Sequence, residues 1–211
     1  MNSFSIKPTF VNMGFDCQCA HQIRRVTGMD TAFMFDWLVT PIESCGLLLG
    51  DDADWFRPGN WEIVCEGYRV YDKGTRLEFQ HEFPVLDPDE PRVDVSKVEG
   101  HLDAARSKYL YLKRRTLNFL AAAKDLHIIR REYWADAAVA EANASAIIDA
   151  YGRINPGLKV VIVTETDTPE AMSDRHLFLR IEGHYEWTGN DRSWDRVFAL
   201  AGAWADSRAG A

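Results

Sequence analysis

Leu126-His-Ile-Ile-Arg130 and Lys159-Val-Val-Ile-Val-Thr164 are short apolar runs rich in β-branched residues, and the helix-length segment Ala137–Tyr151 lies between them. Strand, helix, strand at this spacing is the pattern of parallel strands joined by a crossover helix. Reading outward, Leu177–Ile181 is a further strand, and Asp191 or Ser193 opens a last helix that runs to about Trp204 or Asp206. On the other side, Ser96-Lys-Val-Glu99 is a capping box, and Val98, Leu102, Ala105, Tyr109, Leu112, Thr116 and Leu120 follow at steps of three and four. That spacing predicts a long amphipathic helix to about Ala123. The alternation after Ser96 therefore predicts an α/β fold: a mixed, largely parallel sheet with flanking helices.

Residues 51–94 break the alternation. They are rich in Asp, Pro and Gly, and Trp61–Cys65, Tyr68–Tyr71 and Arg76–His81 read as short strands, with a turn at Lys73-Gly74. This is an antiparallel excursion from a single domain spanning residues 1–211. Upstream, Thr40-Pro-Ile-Glu43 predicts a helix with Thr40 as N-cap, ending at Gly50. Pro8 to Gly14 reads as a short strand closed by glycine. Asp16 then reads as an N-cap, Cys17 to Thr27 as a helix and Gly28 as its stop.

Composition narrows the function. The chain has 211 residues, with 24 Lys plus Arg against 32 Asp plus Glu, a formal net charge of −8. That balance argues against nucleic acid, whose phosphates require clustered cations, and against an anionic membrane surface. No apolar run approaches the ~18 residues of a membrane span. Met1 to Phe10 carries no apolar signal core, so the expected compartment is the cytoplasm. Four cysteines without a Cys-x-x-Cys pair predict free thiols, with no metal and no cofactor implied.

Cys17 is the sharpest chemical feature. At the first turn of a helix, free N–H groups and the dipole favour a thiolate. The Gly14-Phe15-Asp16 turn can aim N–H groups at an oxyanion, although the Asp16 carboxylate opposes ionisation. His21, four residues on, shares the Cys17 face, whereas Cys19 faces away. Cys45 and Cys65 read as packing residues. Among the histidines, His81 follows an aromatic strand and suits a base facing the thiol. His127 reads as a core residue, His101 as exposed, and His176 and His184 flank the last strand. Asp36, between Phe35 and Trp37, either orients an imidazole or pairs structurally. Arg130, at a strand end, either receives an anionic group or pairs with Glu132; with Arg24, Arg25 and Arg131 it is expected to gather on the side of Cys17. Trp55, Trp61 and Trp187 are candidate stacking surfaces.

These residues also carry a resemblance. Asn12-Met-Gly-Phe-Asp-Cys-Gln-Cys-Ala20, Phe35-Asp-Trp-Leu38, His81-Glu-Phe83 and Ile128-Ile-Arg130 fall in the order of four motifs of one family: Leu-Gly-Ser-Asn-Cys-Gln-Val-Ala, Pro-Phe-Asp-Trp, His-Asp-Phe and Phe-Val-Arg. That family is catalogued as papain-like cysteine peptidases of otherwise unknown function, and the similarity extends to about Thr164. It implies Cys17 as nucleophile, His81 as base and an acid such as Asp36 as third member. It also implies a papain-like α+β alternative for the fold. Met34, Asp16 and Glu82 depart from the motifs, where the family has Pro, Asn and Asp. The cysteine turn is similar, too, to that of capsule-biosynthesis acetyltransferases with a Gly-Asn-Cys motif. The expected function is a thiol-dependent hydrolase acting on a small-molecule, peptide or glycan substrate. The alternatives are a thiol-dependent acyltransferase or a non-catalytic accessory protein of polysaccharide biosynthesis.

Overall fold

The computed structural model describes residues 8–167, 169–183 and 186–206. A five-stranded sheet is built from β1 (Thr9–Asn12), β6 (Leu126–Glu132), β7 (Lys159–Thr164), β9 (His176–Arg180) and β8 (Ala171–Met172), in that spatial order. β1, β6, β7 and β9 run parallel, and the two-residue β8 pairs antiparallel at one edge. A separate four-stranded antiparallel sheet has the order β2 (Leu38–Val39), β5 (Leu77–Phe79), β4 (Arg69–Asp72) and β3 (Trp61–Val64). The α/β expectation with an antiparallel excursion describes the chain. The largely parallel sheet replaces the α+β alternative.

The parallel strands are apolar on both faces because both are covered. On one face, Phe10, Ile129, Val161 and Val163 meet α1 (Gln18–Thr27) and α4 (Asp191–Asp206) through Cys19, Ile23, Val197 and Phe198. On the other, Val11, Ile128, Val160 and Ile162 meet α2 (Val95–Ala122) and α3 (Ala137–Tyr151). Leu38, Val70, Leu77 and Phe79 of the antiparallel sheet join that second cluster, so the two sheets share one core.

Local chemistry moved several boundaries. Asp94, not Ser96, caps α2, its carboxylate accepting from the Ser96 N–H at 3.2 Å and the Ser96 hydroxyl at 2.6 Å. The segment after Thr40 is a 3-10 helix, Ile42–Leu48, with no side-chain cap. The Tyr151 hydroxyl takes the Cys45 carbonyl that an α-helix would present to the Leu49 N–H, and Leu49 bonds Gly46 instead. β3 stops at Val64 because Cys65 and Glu66 adopt φ of 51° and 56°. Arg76, at φ 58°, delays β5 to Leu77, and Gln80 and His81 lie beyond its end.

Candidate functional site

β1 delivers the chain to Cys17 through a turn that accepts no side chain at Gly14. A Cβ there would sit 2.7 Å from Asn12 Oδ1 and 3.1 Å from Cys19 Sγ. Asn12 holds the turn from within: its Oδ1 accepts from the Gly14 N–H at 2.8 Å, and its Nδ2 donates to the Phe35 carbonyl at 2.8 Å. Asp16 fixes the other side. Its Oδ2 accepts from Arg131 at 2.5 Å and from the Tyr133 hydroxyl at 2.6 Å, while Oδ1 accepts from the Gln18 N–H at 3.0 Å. Arg131 also pairs with Glu165 and lies 3.9 Å over the Tyr133 ring. Cys17 therefore flanks α1, with helical φ −74° and ψ −11°, and the helix proper starts at Gln18.

Cys17 and His81 line one cleft of about 690 Å³. Cys17 comes from the head of α1 in the parallel half, and His81 from the segment leaving β5 in the antiparallel half. Phe33, Met34 and Trp37 form one wall, Tyr109 and Leu112 of α2 another, and Trp187 stands at the rim, 57% exposed. Gln18 positions that rim: its Nε2 donates to the Trp187 carbonyl at 3.1 Å and its Oε1 accepts from Trp194 at 3.0 Å. Gly189, at φ +79°, passes so close that a Cβ would lie 2.5 Å from the Gln18 amide carbon.

Burial and the neighbouring Asp16 carboxylate push the Cys17 thiol above its ordinary value; its own N–H, Arg131 and Arg69 oppose them without reversing the balance. The expected helix-terminus thiolate is thus corrected to a neutral thiol, because desolvation outweighs the helix-end contribution. His81 is pushed below the ordinary imidazole value by burial and by the Arg69 charge. Both groups are neutral at pH 7. Arg69, paired with Glu78 at 2.8 Å, acts on both.

The remaining candidates are distributed differently. Among the described residues no side chain hydrogen-bonds the His81 ring. Asp36 does not line the cleft; its carboxylate takes Arg24 at 3.0 Å and the Phe33 N–H at 2.8 Å, and burial raises its pKa to about 6. Arg24 lies 4.9 Å over the Trp37 ring, stiffening a wall of the cleft. Arg130 is 1% exposed: its Nε donates to Glu132, and its Nη1 to the Met13 and Thr40 carbonyls at 2.9 and 3.0 Å and to Cys45 Sγ at 3.5 Å. Arg130 does not line the cleft. Of the Gly14-to-Gln18 turn, the amides of Gly14, Phe15 and Gln18 are taken by Asn12, the Arg131 carbonyl and Asp16. His21 packs edge-on to Trp187, with ring centroids 5.0 Å apart.

Cys19 and Cys45 are buried, and burial pushes the Cys45 thiol to about 11. Cys65, expected as packing, is exposed because the left-handed turn carries it out of β3, and its sulfur lies 3.8 Å from Glu78. His101, expected on the wet face, is half-buried against Glu82 at 3.5 Å. His127 is in the core and His176 bonds Ser173 at 2.8 Å; His184 lies outside the described residues. Trp55 is buried and Trp61 donates to Glu99 at 2.7 Å, leaving Trp187 as the tryptophan of the three at the cleft. Apart from Trp187, the cleft walls carry no functional signal of their own in the sequence analysis. Trp37 was signalled by the Phe-Asp-Trp motif, while Tyr109 and Leu112 were visible only as members of the apolar stripe of α2. Among the described residues, no group of three His, Cys, Asp or Glu side chains is placed to hold a metal ion, and no helix is long and apolar enough to cross a membrane. Neither protein-family models, nor curated proteins, nor solved structures return a match to this chain.

Proposed function

We propose that the protein is a thiol-dependent hydrolase or acyltransferase with Cys17 as nucleophile and His81 as general base. The observation that carries this reading is that both side chains, from separate sheets, line one cleft. The neutral pair sets the order of events. Imidazole takes the thiol proton as sulfur attacks the substrate carbonyl, so proton transfer accompanies bond formation instead of preceding it. The carbonyl oxygen takes up the displaced electron pair. Collapse expels the leaving group, which receives the proton from His81, and leaves a thioester on Cys17. Water completes hydrolysis; a second nucleophile completes transfer. The N–H groups of Asp16 and Cys17, the latter now pointing at its own sulfur, are the turn amides left to meet the oxyanion.

The cysteine peptidase named by the motif resemblance is one form of this chemistry. A non-catalytic binding protein is the second reading, and the raised thiol and the unsupported His81 ring favour it. Hydrolysis of p-nitrophenyl acetate and of a fluorogenic peptide amide by the full chain separates the two. Cys17→Ser and His81→Ala are each expected to lower turnover at least ~100-fold. Equal turnover in all three proteins would remove the catalytic reading.

A further inference from the structure

The cleft beside Cys17 is apolar where a substrate would lie. Phe33, Met34, Trp37, Leu112 and Trp187 supply its walls. Its two charges answer each other: Lys108 donates to Glu82, whose carboxylate is also met by His101 and by the Tyr109 hydroxyl. A peptide would bring amides, and a glycan hydroxyls, into a space whose remaining polar side chains are Gln80, His81 and Cys17, and each polar group left unmet costs binding. An extended peptide cannot add to the strand that leads to His81 either, because β5 is already paired with β2 on one side and β4 on the other. The space, about 690 Å³, is that of a small-molecule pocket.

We infer that this cleft holds an apolar acyl chain, so that the carbonyl attacked by Cys17 belongs to a fatty-acyl ester or thioester. The inference rests on the proposed function for the position of the carbonyl, but the binding of the chain stands on the walls alone. Met34 suits the role, since an unbranched thioether adapts to chains of different length. Trp37 and Trp187 place fluorophores against the bound chain.

The test titrates the full chain with sodium butyrate, hexanoate, octanoate and decanoate below their micellar ranges, following tryptophan fluorescence. Affinity is expected to rise about fourfold per added methylene, the factor for burying one in an apolar site. Leu112→Trp, which fills the cleft, is expected to flatten the rise beyond hexanoate. A flat series in the unmutated protein overturns the inference whatever the variant does. So does tighter binding of an acetylated tetrapeptide amide or of maltotetraose than of decanoate. Turnover of p-nitrophenyl octanoate separates the two proposals. A steep fatty-acid series without Cys17-dependent turnover sinks the enzyme and keeps the acyl cleft, whereas Cys17-dependent turnover with a flat series does the reverse.

Discussion

His127 offers a quantitative test of the fold through its pH dependence. Its ring is fully buried among Phe10, Trp204 and Asp125; Nε2 lies 3.2 Å from Asp125, and Nδ1 has no protein partner among the described residues. Burial is the main cause that lowers its pKa to about 4. Between pH 6.5 and about 4 the unfolded chain therefore binds a proton that the native chain refuses. Its contribution is fully present above pH 6.5 and is lost as pH falls through that window. At 1.36 kcal/mol per pH unit the loss is about 3 kcal/mol. Asp36 works in the opposite sense. Its folded pKa is raised to about 6, so the native chain binds the extra proton and stability falls as pH rises from about 4 to 6, again by about 3 kcal/mol. The two nearly cancel in the wild type. His127→Phe keeps the ring contacts and removes one side of the balance. Urea unfolding of both proteins at pH 4, 5, 6 and 7 isolates the difference, because Asp36 is common to both. The variant is expected to gain about 3 kcal/mol relative to wild type between pH 7 and pH 4. A difference that stays constant to within ~0.5 kcal/mol would refute a neutral, desolvated His127.

Gly14→Ala forces a methyl against Asn12 Oδ1 and Cys19 Sγ; overpacking of this kind costs ~1–3 kcal/mol, a Tm loss of roughly 2–12 °C for a chain of this size, read by calorimetry. An unchanged Tm would mean the turn relaxes freely. In a Cys65→Ser background, alkylation of Cys17 by iodoacetamide is expected to keep accelerating above pH 9, as a thiol raised by burial and Asp16 requires; a plateau near neutrality would contradict the neutral pair. Asp36→Ala leaves Arg24 and the Phe33 N–H without their acceptor and is expected to cost about 3 kcal/mol in urea unfolding, which a neutral result would exclude. Arg69→Ala removes a charge that lowers His81, so the His81 ring titration followed by NMR is expected to move upward.

The elements with strong periodicity were legible in the sequence. Ala137–Tyr151 and Lys159–Thr164 have the observed bounds because propensity, apolar pattern and burial agree there. The errors sit where one side chain overrides the local pattern: Tyr151 on the Cys45 carbonyl, Asp94 ahead of the Ser96 box, and the left-handed Cys65 and Arg76. The site divides in the same way. Cys17 and His81 stood out as residue types in recognisable positions, but nothing local to Arg130 announces its carbonyl partners Met13 and Thr40, far away in the chain. Tyr109 and Leu112 carry the same spacing whether they face a core or a cleft, and only the position of the second sheet decides which.

The core common to the two sheets bears on how a ligand gets in. Val70, Leu77 and Phe79 pack in the same apolar cluster as Val11, Ile128 and Val160, so the walls cannot part like the jaws of two separate lobes without exposing that cluster to water. Traffic is left to the rim, where Trp187 stands. Gln18 grips the Trp187 backbone from the same helix that begins beside Cys17, which ties the indole at the rim to the element that carries the thiol. Arrival and departure rates would then be set by the turn of one indole ring, leaving the depth of the cleft to govern how long a guest stays.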